Sequence, residues 1–455
     1  MINCFVLIEY IMNNLKKLKL LVASALLSST AVYADDCTDT SATNCGITIS
    51  GNQTIDIDSS IDVEDAKGID INSSSNTLTI GGNITVTSAA NSAFGLNISN
   101  GGNNNNVINM TGDISTISTG GATGMHGIRI SVNSSSNTVN VTGNVSTTRG
   151  NSAGILIIEG GDNNNVTLFG NINTSGGLNA NGVRITGQEN NFGINNHITV
   201  NGDISTVSSH AIAIAGYAHD SYIEVNGNVQ STNNAAIHIS QTDTVNNIVM
   251  VNGNVSTSAT SNNPTIAFNS GASDNLVVID GNVTQLANLP AIKFGANGAD
   301  TSHDNTVSVS GNITSAGTGI RFNNSDRNEI FVSGNIVART PGANAIYADS
   351  ESDNNTIYLD RSSTIVGAIR NNGTNNTLLF TAWEPIEPED TDGDGVPDID
   401  GDIDFEEISS GGQSQYGLAT SANYTVSGTT PWVVQANVEQ PVLTGNTYIK
   451  TMGVA

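Results

Sequence analysis

Residues 73–84 read SSSNTLTIGGNI and residues 134–145 read SSSNTVNVTGNV, so one short pattern occurs twice in the same chain. In both copies apolar and polar residues alternate, which is the period of a β-strand, and a Gly-Asn turn follows the strand. This turn, Gly-Asn/Asp-Ile/Val, returns about every 28 residues, and we expect Gly51-Asn-Gln to be a weaker first copy. The glycines of the turns are Gly82, Gly112, Gly143, Gly170, Gly202, Gly227, Gly253, Gly281, Gly311 and Gly334.

An asparagine lies six residues before nearly every one of these glycines, and only Ser221 interrupts the series. Asparagine tolerates left-handed backbone angles, and its amide can bond to an identical amide on a neighbouring chain segment. The phasing therefore predicts a ladder of stacked asparagines. Its members are Asn76, Asn106, Asn137, Asn164, Asn196, Asn247, Asn275, Asn305 and Asn328.

Each block contains three short strands. One precedes the Gly-Asn turn, one follows it, and the third has the form Gly/Ala-Ile-x-Ile, as in Gly127-Ile-Arg-Ile. Since a single block is too small to bury a core, we expect successive blocks to stack as about 11–12 coils. The predicted fold is all-β, a parallel β-helix (solenoid). At about 4.8 Å per coil, the rod would be roughly 55 Å long.

The composition excludes several classes of protein. The chain has 64 Asn and 48 Gly among 455 residues, and only 12% of its residues are charged. A coiled coil needs far more Glu, Lys, Arg and Leu at helical spacing. The formal net charge of -27 makes nucleic acid an unsuitable main partner, because an acidic body repels the phosphate backbone.

Residues 1–34 have the features of a secretory signal peptide. A basic region at Lys16, Lys17 and Lys19 precedes an apolar run from Leu20 to Leu27, and the small residues of Val32-Tyr-Ala34 are typical of a cleavage site after Ala34. Met12 is a better start for this leader than Met1, and an unusually extended leader is the alternative. We therefore expect the protein to be exported through the inner membrane.

Two cysteines remain in the exported part of the chain. Cys37 and Cys45 lie eight residues apart in residues 35–50, which we interpret as an N-terminal cap before repeats over 51–380. In an oxidising compartment a disulfide between them is the favoured state. A metal site is the rival interpretation, although no histidine or further cysteine lies nearby in the sequence.

An acidic segment, 381–407, interrupts the pattern after the repeats. Asp390, Asp392, Asp394 and Asp398 surround Gly395, and carboxylates at alternate positions of a tight loop can converge on one Ca²⁺ ion. The spacing resembles the calcium loops of EF-hands and thrombospondin type 3 repeats, although Gly401 stands where the EF-hand has its last glutamate. A solvated, self-repelling spacer without calcium is the alternative.

Taken together, the leader, the early cysteine pair, the Gly-Asn repeats and the SSSNTLTI-type strands resemble the passenger of a bacterial autotransporter. The resemblance covers about residues 35–380 and, more weakly, the β-rich segment 408–455. It implies a right-handed β-helix displayed at the cell surface through an outer-membrane translocator barrel. Residues 408–455 would be the possible start of that barrel in a truncated chain, or the passenger would lack a barrel of its own.

The third strand of the block presents a column of outward residues whose function has two interpretations. Four members are basic, and a basic stripe on an acidic rod is suited to contact acidic glycans; a solvated face is the other interpretation. The basic members are Arg129, Arg184, Lys293 and Arg321, and the others are Asp70, Asn97, Leu156, Ala213, His238, Ala267 and Tyr347.

Two functions follow from this sequence. The first is a secreted or surface-displayed, non-catalytic, adhesin-like rod that contacts glycans or cell-surface receptors. The second is an exported carbohydrate-active enzyme, a polysaccharide lyase or hydrolase. We favour the rod, because the spacing between successive glycines varies little and leaves short loops from which to build a cleft.

Overall fold

The computed structural model describes residues 46–380 and three flanking strands, Tyr33–Ala34, Val426–Ser427 and Val433–Ala436. The gaps within it are 90–91, 100–103, 121–123, 149–150, 178–179, 261–262, 297–300 and 361–362. In this part of the chain all regular structure is β, and parallel strands stack as a solenoid of about 11 turns. The predicted fold class is thereby confirmed.

Three long sheets form the walls of the solenoid, and we number them in the order in which each coil visits them. Their strand pairs are parallel, except that Tyr33–Ala34 pairs antiparallel with Ile47–Ile49. Sheet 1 contains the strands before the Gly-Asn turns: Thr54–Ile57, Thr77–Ile80, Val107–Thr111, Thr138–Thr142, Asn165–Phe169, His197–Asn201, Tyr222–Val225, Ile248–Val251, Leu276–Ile279, Thr306–Val309, Glu329–Val332, Thr356–Leu359, Thr377–Phe380 and Val433–Ala436.

Sheet 2 contains the strands that follow the turns: Ile61–Glu64, Ile84–Ser88, Ile114–Ser118, Val145–Thr148, Ile172–Ser175, Ile204–Thr206, Val229–Ser231, Val255–Thr257, Val283–Gln285, Ile313–Ser315, Ile336–Ala338 and Ile365–Val366.

Sheet 3 contains the Gly/Ala-Ile-x-Ile strands: Tyr33–Ala34, Ile47–Ile49, Ile69–Ile71, Phe94–Ile98, His126–Ile130, Ala153–Ile158, Asn181–Thr186, Ile212–Ala215, Ile237–Ser240, Ile266–Asn269, Ile292–Phe294, Ile320–Phe322, Asn344–Ala348, Ala368–Asn371 and Val426–Ser427. Two small pairs, Gly193–Ile194 with Ala218–His219 and Ser302–His303 with Ser325–Asp326, complete the strands.

The inward residues of the three sheets make one apolar core along the axis. In the coil that begins near residue 222, Ile223, Val225, Val229, Ile237 and Ile239 are each 0% exposed. Each of these side chains packs against its counterparts in the coils above and below, and the cluster continues from Ile49 to Leu378. Burial therefore depends on neighbouring coils, as in other solenoids.

The predicted asparagine ladder exists and is longer than predicted. Each Oδ1 accepts the backbone N–H of the residue one coil earlier, and in every member except Asn76 and Asn247 it also accepts that residue's side-chain N–H. Asn106 Oδ1, for example, lies 2.9 Å and 2.8 Å from the two nitrogens of Asn76. The series continues through Asn355 and Asn376, and all its members are at most 1% exposed. We call this series, from Asn76 to Asn376 and including Ser221, the buried ladder.

A second ladder follows the Gly-Asn turns on the outside. Asn254, for example, donates its backbone N–H and its side-chain N–H to Asn228 Oδ1, 3.0 Å and 3.1 Å away. Here the amide donates to the preceding coil, whereas in the buried ladder it donates to the following one. The side-chain dipoles of the two ladders therefore oppose each other along the rod.

Left-handed backbone angles occur at scattered positions, such as Asp65 and Tyr217, and recur at one fixed position, directly before each member of the buried ladder. Non-glycine residues occupy that position throughout, with φ between 50 and 60° in such cases as Asn105, Asp220 and Asn375. The glycines of the Gly-Asn turns have a different role, which is to allow the backbones of successive coils to approach closely. A Cβ atom on Gly227 would lie 2.4 Å from the carbonyl oxygen of Gly202.

The repeat begins at a different residue from the one expected. Ile61 pairs with Ile84, so the counterpart of Gly82-Asn83 is Ser59-Ser60, and Asn83 N donates to Ser60 Oγ. Gly51 lies before the first strand of sheet 1, and the prediction that it starts the series was wrong. Among the described residues no earlier turn lies beneath Ser59-Ser60, so a Cβ atom is tolerated there, whereas a Cβ atom on Gly82 would lie 2.5 Å from the carbonyl carbon of Ser59.

The sheets resume after the acidic segment. Val426–Ser427 pairs with Ala368–Asn371 in sheet 3, and Val433–Ala436 pairs with Thr377–Phe380 in sheet 1. Of the described strands, the last one before the acidic segment belongs to sheet 1, and the first one after it belongs to sheet 3. Among the described residues, no helix is long and apolar enough to cross a membrane.

The first prediction concerns the buried ladder. In Asn247→Ala, the N–H of Ser221 loses its acceptor, and the carbonyls of Ala218 and Val245 lose a donor. Each buried group left unpaired is costly, so we expect a loss of about 2–3 kcal/mol in the free energy of unfolding. Urea unfolding followed by circular dichroism measures it.

The matched control is Asn254→Ala, in the exposed ladder of the same coil, where water replaces the lost bonds and we expect a loss of about 0.5 kcal/mol. Conversely, Ser221→Asn should raise the stability by about 1 kcal/mol, because it supplies the side-chain donor that Asn247 Oδ1 lacks. Equal losses in the two alanine variants would contradict a special role for the buried ladder.

Candidate functional site

The outward positions of sheet 3 align in one column. The strand pairing places Arg129 beside Leu156, Leu156 beside Arg184, and so on without a break to Arg370. We call the outward residues from Arg129 to Arg370 the cation column. Its members are Arg129, Leu156, Arg184, Ala213, His238, Ala267, Lys293, Arg321, Tyr347 and Arg370.

The sequence pattern placed nine of these ten residues correctly and missed Arg370. The missed residue occurs in Ala368-Ile369-Arg370-Asn371, which has the beginning of the third-strand pattern but ends in asparagine instead of an apolar residue. That ending concealed the strand. A pattern that also allowed a polar residue at its fourth position would have identified Arg370.

The column is not the freely solvated face that was one of its two interpretations. Arg129, Arg184, Lys293 and Arg321 are all partly buried, and the small or apolar residues between them, such as Ala267, are almost fully buried. Burial lowers the pKa of the Arg184 guanidinium and of the Lys293 amine. Removing part of the water from a cation disfavours its charged form unless a partner replaces the water.

At the N-terminal end of the column, aromatic rings hold Arg129. Its guanidinium lies 4.7 Å from the centre of the Phe94 ring, and Phe94 stacks on His126 at 5.6 Å. The imidazole Nδ1 of His126 accepts the backbone N–H of Ala153 at 2.9 Å. This end therefore consists of a cation fixed by a cation–π contact and a neutral imidazole.

In the middle of the column, two histidines stack beside Arg184. The rings of His210 and His238 are 4.1 Å apart and nearly parallel, at 10°. Burial lowers the pKa of His210 to about 4, and burial together with His210 and Arg184 lowers that of His238 well below its usual value. The two imidazoles are neutral at physiological pH, so they are suited to hydrogen bonding and not to attracting charge.

At the C-terminal end, three cations lie close together in register. Lys293 is directly beside Arg321, and Tyr347 lies between Arg321 and Arg370. The two guanidinium carbons are 5.4 Å and 5.7 Å from the centre of the tyrosine ring. Burial is the largest cause of the lowered pKa of Lys293, and repulsion from Arg321 adds to it.

The carboxylates nearest to the column are engaged elsewhere. Asp70, before the N-terminal end, bonds to Lys67 at 2.7 Å, to Asn97 at 2.6 Å and to Ser99 at 3.1 Å. Asp349, near Lys293, accepts the hydroxyl of Ser352 at 2.7 Å and backbone N–H groups. Glu159, whose charge acts on Arg129 more strongly than that of Asp70, accepts the side-chain N–H of Gln188 at 2.5 Å. Among the described residues, none of these three carboxylates forms an ion pair with a cation of the column.

The other sites predicted from sequence lie outside the described residues. These are the disulfide between Cys37 and Cys45 and the calcium loop of Asp390, Asp392, Asp394 and Asp398, and both stay predictions. Within the described ranges, no group of three or more His, Cys, Asp or Glu side chains is arranged to hold a metal ion.

Comparisons with protein-family models, with curated proteins and with solved structures find no match to this chain.

The second prediction follows from the neutral histidines. Burial lowers the pKa of His126 from 6.5 to about 3, so the unfolded chain takes up a proton at higher pH than the folded one. The contribution of the neutral histidines to the free energy of unfolding is complete above pH 6.5. It is lost as the pH falls from 6.5 toward the pKa values of these histidines in the folded state. Because the rings keep some contact with water, we expect a loss of only about 1 kcal/mol per histidine between pH 7 and pH 5.

Thermal unfolding at the two pH values measures this loss. The double variant His126→Gln, His210→Gln should lose less stability on acidification than the unchanged protein. The control is His303→Gln, which removes a histidine bonded to the carboxylate of Asp304 and outside the column. If the double variant and the unchanged protein lose the same stability, the buried histidines are not the cause.

Proposed function

We propose that the exported chain is a non-catalytic, adhesin-like β-helical rod of the autotransporter-passenger kind, and that the outer face of sheet 3 is its contact surface. In this proposal the rod acts at the bacterial cell surface, in the outer membrane or in the medium. An outer-membrane translocator barrel displays it. Its partners are glycans or cell-surface receptors.

One observation carries this proposal: cations, aromatic rings and small residues form a single straight column on a continuous sheet. At about 4.8 Å per coil, the column from Arg129 to Arg370 is about 43 Å long. A partner that spans it would touch many coils at once. Such an extended, regular surface suits recognition of an elongated partner better than enclosure of a small substrate.

The rigidity of the stack supports the same proposal. Each coil is tied to the next by the strand pairing of three sheets and by the buried ladder, in which Asn247 alone makes four side-chain bonds. A surface held in place before binding loses little conformational freedom when the partner arrives. A rod of this kind can present a weak but repeated contact.

The third prediction tests adhesion directly. Beads coated with the chain lacking residues 1–34 should adhere to epithelial or bacterial cells several-fold more than beads coated with albumin. Bound beads are counted by microscopy after washing. Beads coated with heat-unfolded protein are the control for nonspecific adsorption, and adhesion no greater than that of albumin on every cell type tested would refute the proposal.

A second candidate function is a polysaccharide lyase, and the observation that favours it is the group Lys293, Arg321 and Tyr347. A lysine with a lowered pKa is suited to remove a proton, an arginine to neutralise a uronate carboxylate, and a tyrosine to protonate the leaving oxygen. The three residues follow one another in register.

The fourth prediction separates the two functions. If the chain is a non-catalytic rod, incubation with polygalacturonate or hyaluronan should give no ultraviolet absorbance from an unsaturated uronate and no new reducing ends. Turnover that Lys293→Met abolishes and that Arg339→Gln leaves unchanged would establish the lyase. The latter variant removes an exposed arginine outside the column.

A further inference from the structure

Within the described ranges, no carboxylate forms an ion pair with a cation of the column, although other cations of this acidic protein have such partners. Arg129 and Arg321 each donate only to a neutral asparagine side chain. Arg327 donates two bonds of 2.7 Å to Asp304, and Lys67 lies 2.7 Å from Asp70. Among the described residues, no hydrogen bond or ion pair reaches the side chain of Arg184 or of Lys293, and Arg321 Nε is buried without a hydrogen-bond partner. A partly buried cation without a partner gains most from an anionic ligand.

The order of residues in the column adds a spacing. From Arg129 to Lys293, basic residues and histidine alternate with Leu156, Ala213 and Ala267. A basic or imidazole side chain therefore recurs in every second coil. Two coils correspond to about 10 Å, which is comparable to the length of a disaccharide in an extended polysaccharide chain. Leu156, Ala213 and Ala267 are only 5%, 4% and 1% exposed, so the contacts of a bound chain would come from the basic and histidine side chains, which keep more of their surface.

The aromatic rings fix the guanidinium groups at both ends of the column. Phe94 lies against Arg129, and Tyr347 lies against both Arg321 and Arg370. A guanidinium held on a ring has lost freedom before the ligand arrives, and its fork of N–H groups matches a carboxylate or a sulfate. Phosphate groups of a nucleic acid fit less well, because the net charge of -27 opposes a dense polyanion.

We infer that the cation column is a linear binding site for an acidic polysaccharide that carries carboxylate or sulfate groups on alternate sugars. The polysaccharide lies parallel to the axis of the rod, with its acidic groups at Arg129, Arg184 and the cluster of Lys293, Arg321 and Arg370. This inference rests on the proposed function and specifies the ligand of the same surface.

The test uses the chain lacking residues 1–34 and three probes: hyaluronan oligosaccharides, with one carboxylate on every second sugar; polygalacturonate oligosaccharides, with one on every sugar; and neutral dextran. Titration calorimetry at low salt should give binding of hyaluronan that weakens several-fold as salt is added, because the contacts are ionic. Dextran should not bind. Absence of hyaluronan binding, with or without binding of polygalacturonate, would overturn the inference.

The decisive variant is the pair Arg184→Gln, Lys293→Gln. Each cation contributes a charge-assisted bond, so we expect the affinity for hyaluronan to fall about tenfold per residue and about 100-fold for the pair. Arg327→Gln, Arg339→Gln is the matched control, since it removes the same charge from exposed residues outside the column. Equal losses in the two pairs would show a general charge effect and not a site.

A second variant guards against a change in folding. Leu156→Glu introduces a carboxylate between Arg129 and Arg184, so it should abolish hyaluronan binding while the melting temperature stays the same or rises. If binding persists with the carboxylate in place, the column is not the site. If Leu156→Glu unfolds the coil, the affinity of the pair Arg184→Gln, Lys293→Gln for hyaluronan still tests the inference.

The outcomes also separate this inference from the proposed function. Suppose that neither acidic polysaccharide inhibits adhesion of the coated beads and that the pair Arg184→Gln, Lys293→Gln leaves adhesion unchanged. The acidic polysaccharide would then be refuted as the ligand, while the proposed adhesin function would stand. Tight binding of the polysaccharide without adhesion to any cell would support the polysaccharide site and refute the proposed adhesin function.

Discussion

The structure depends on one constraint: each coil pairs in register with the next through backbone hydrogen bonds, at a spacing of about 4.8 Å. Every outward or inward position therefore repeats as a column of residues in contact. A residue type is acceptable in a column only if it tolerates a copy of itself, or a compatible residue, at that distance. Isoleucine and valine satisfy this inside the rod by packing, and asparagine satisfies it by bonding to itself.

The columns differ in how they meet the constraint. In the buried ladder a single Oδ1 accepts two N–H groups from the preceding coil, so the column satisfies backbone and side chain together. In the turn column glycine is required by space, because the carbonyl oxygen beneath Gly227 occupies the place of a Cβ atom. Inside sheet 3, Phe268, Phe294 and Phe322 stack at 4.9 Å and 5.4 Å, and three large side chains thus share one column.

Cations are the residues least suited to such stacking, because like charges one coil apart repel each other. The column on sheet 3 reduces this repulsion by placing Leu156, Ala213 and Ala267 between the polar heads. At Lys293 and Arg321 the spacing fails, and the repulsion contributes to the lowered pKa of the lysine. A cluster maintained against its own repulsion is the part of the surface that an anion would stabilise most.

Periodicity in the sequence was sufficient for the fold class, the three strands per coil, the buried ladder and most of the cation column. It was sufficient because register in a solenoid is local: a residue meets its counterpart one repeat away, so phasing in the sequence becomes contact in space. The same reasoning erred at Gly51, where a Gly-Asn pair resembles the turn but precedes the first strand of sheet 1. It also missed Arg370, because Asn371 departs from the apolar pattern.

The tertiary structure alone decided how the outward residues are surrounded. The sequence places Arg184 and His238 on the same face, yet it does not reveal that His210 stacks on His238 or that Arg184 lacks a partner among the described residues. Those facts depend on where the loops between sheets 2 and 3 place side chains such as His210, and these loops, unlike the Gly-Asn turns, follow no repeated sequence pattern. The repeat thus determined which residues align, and the packing of these loops determined which of them are desolvated and unpaired.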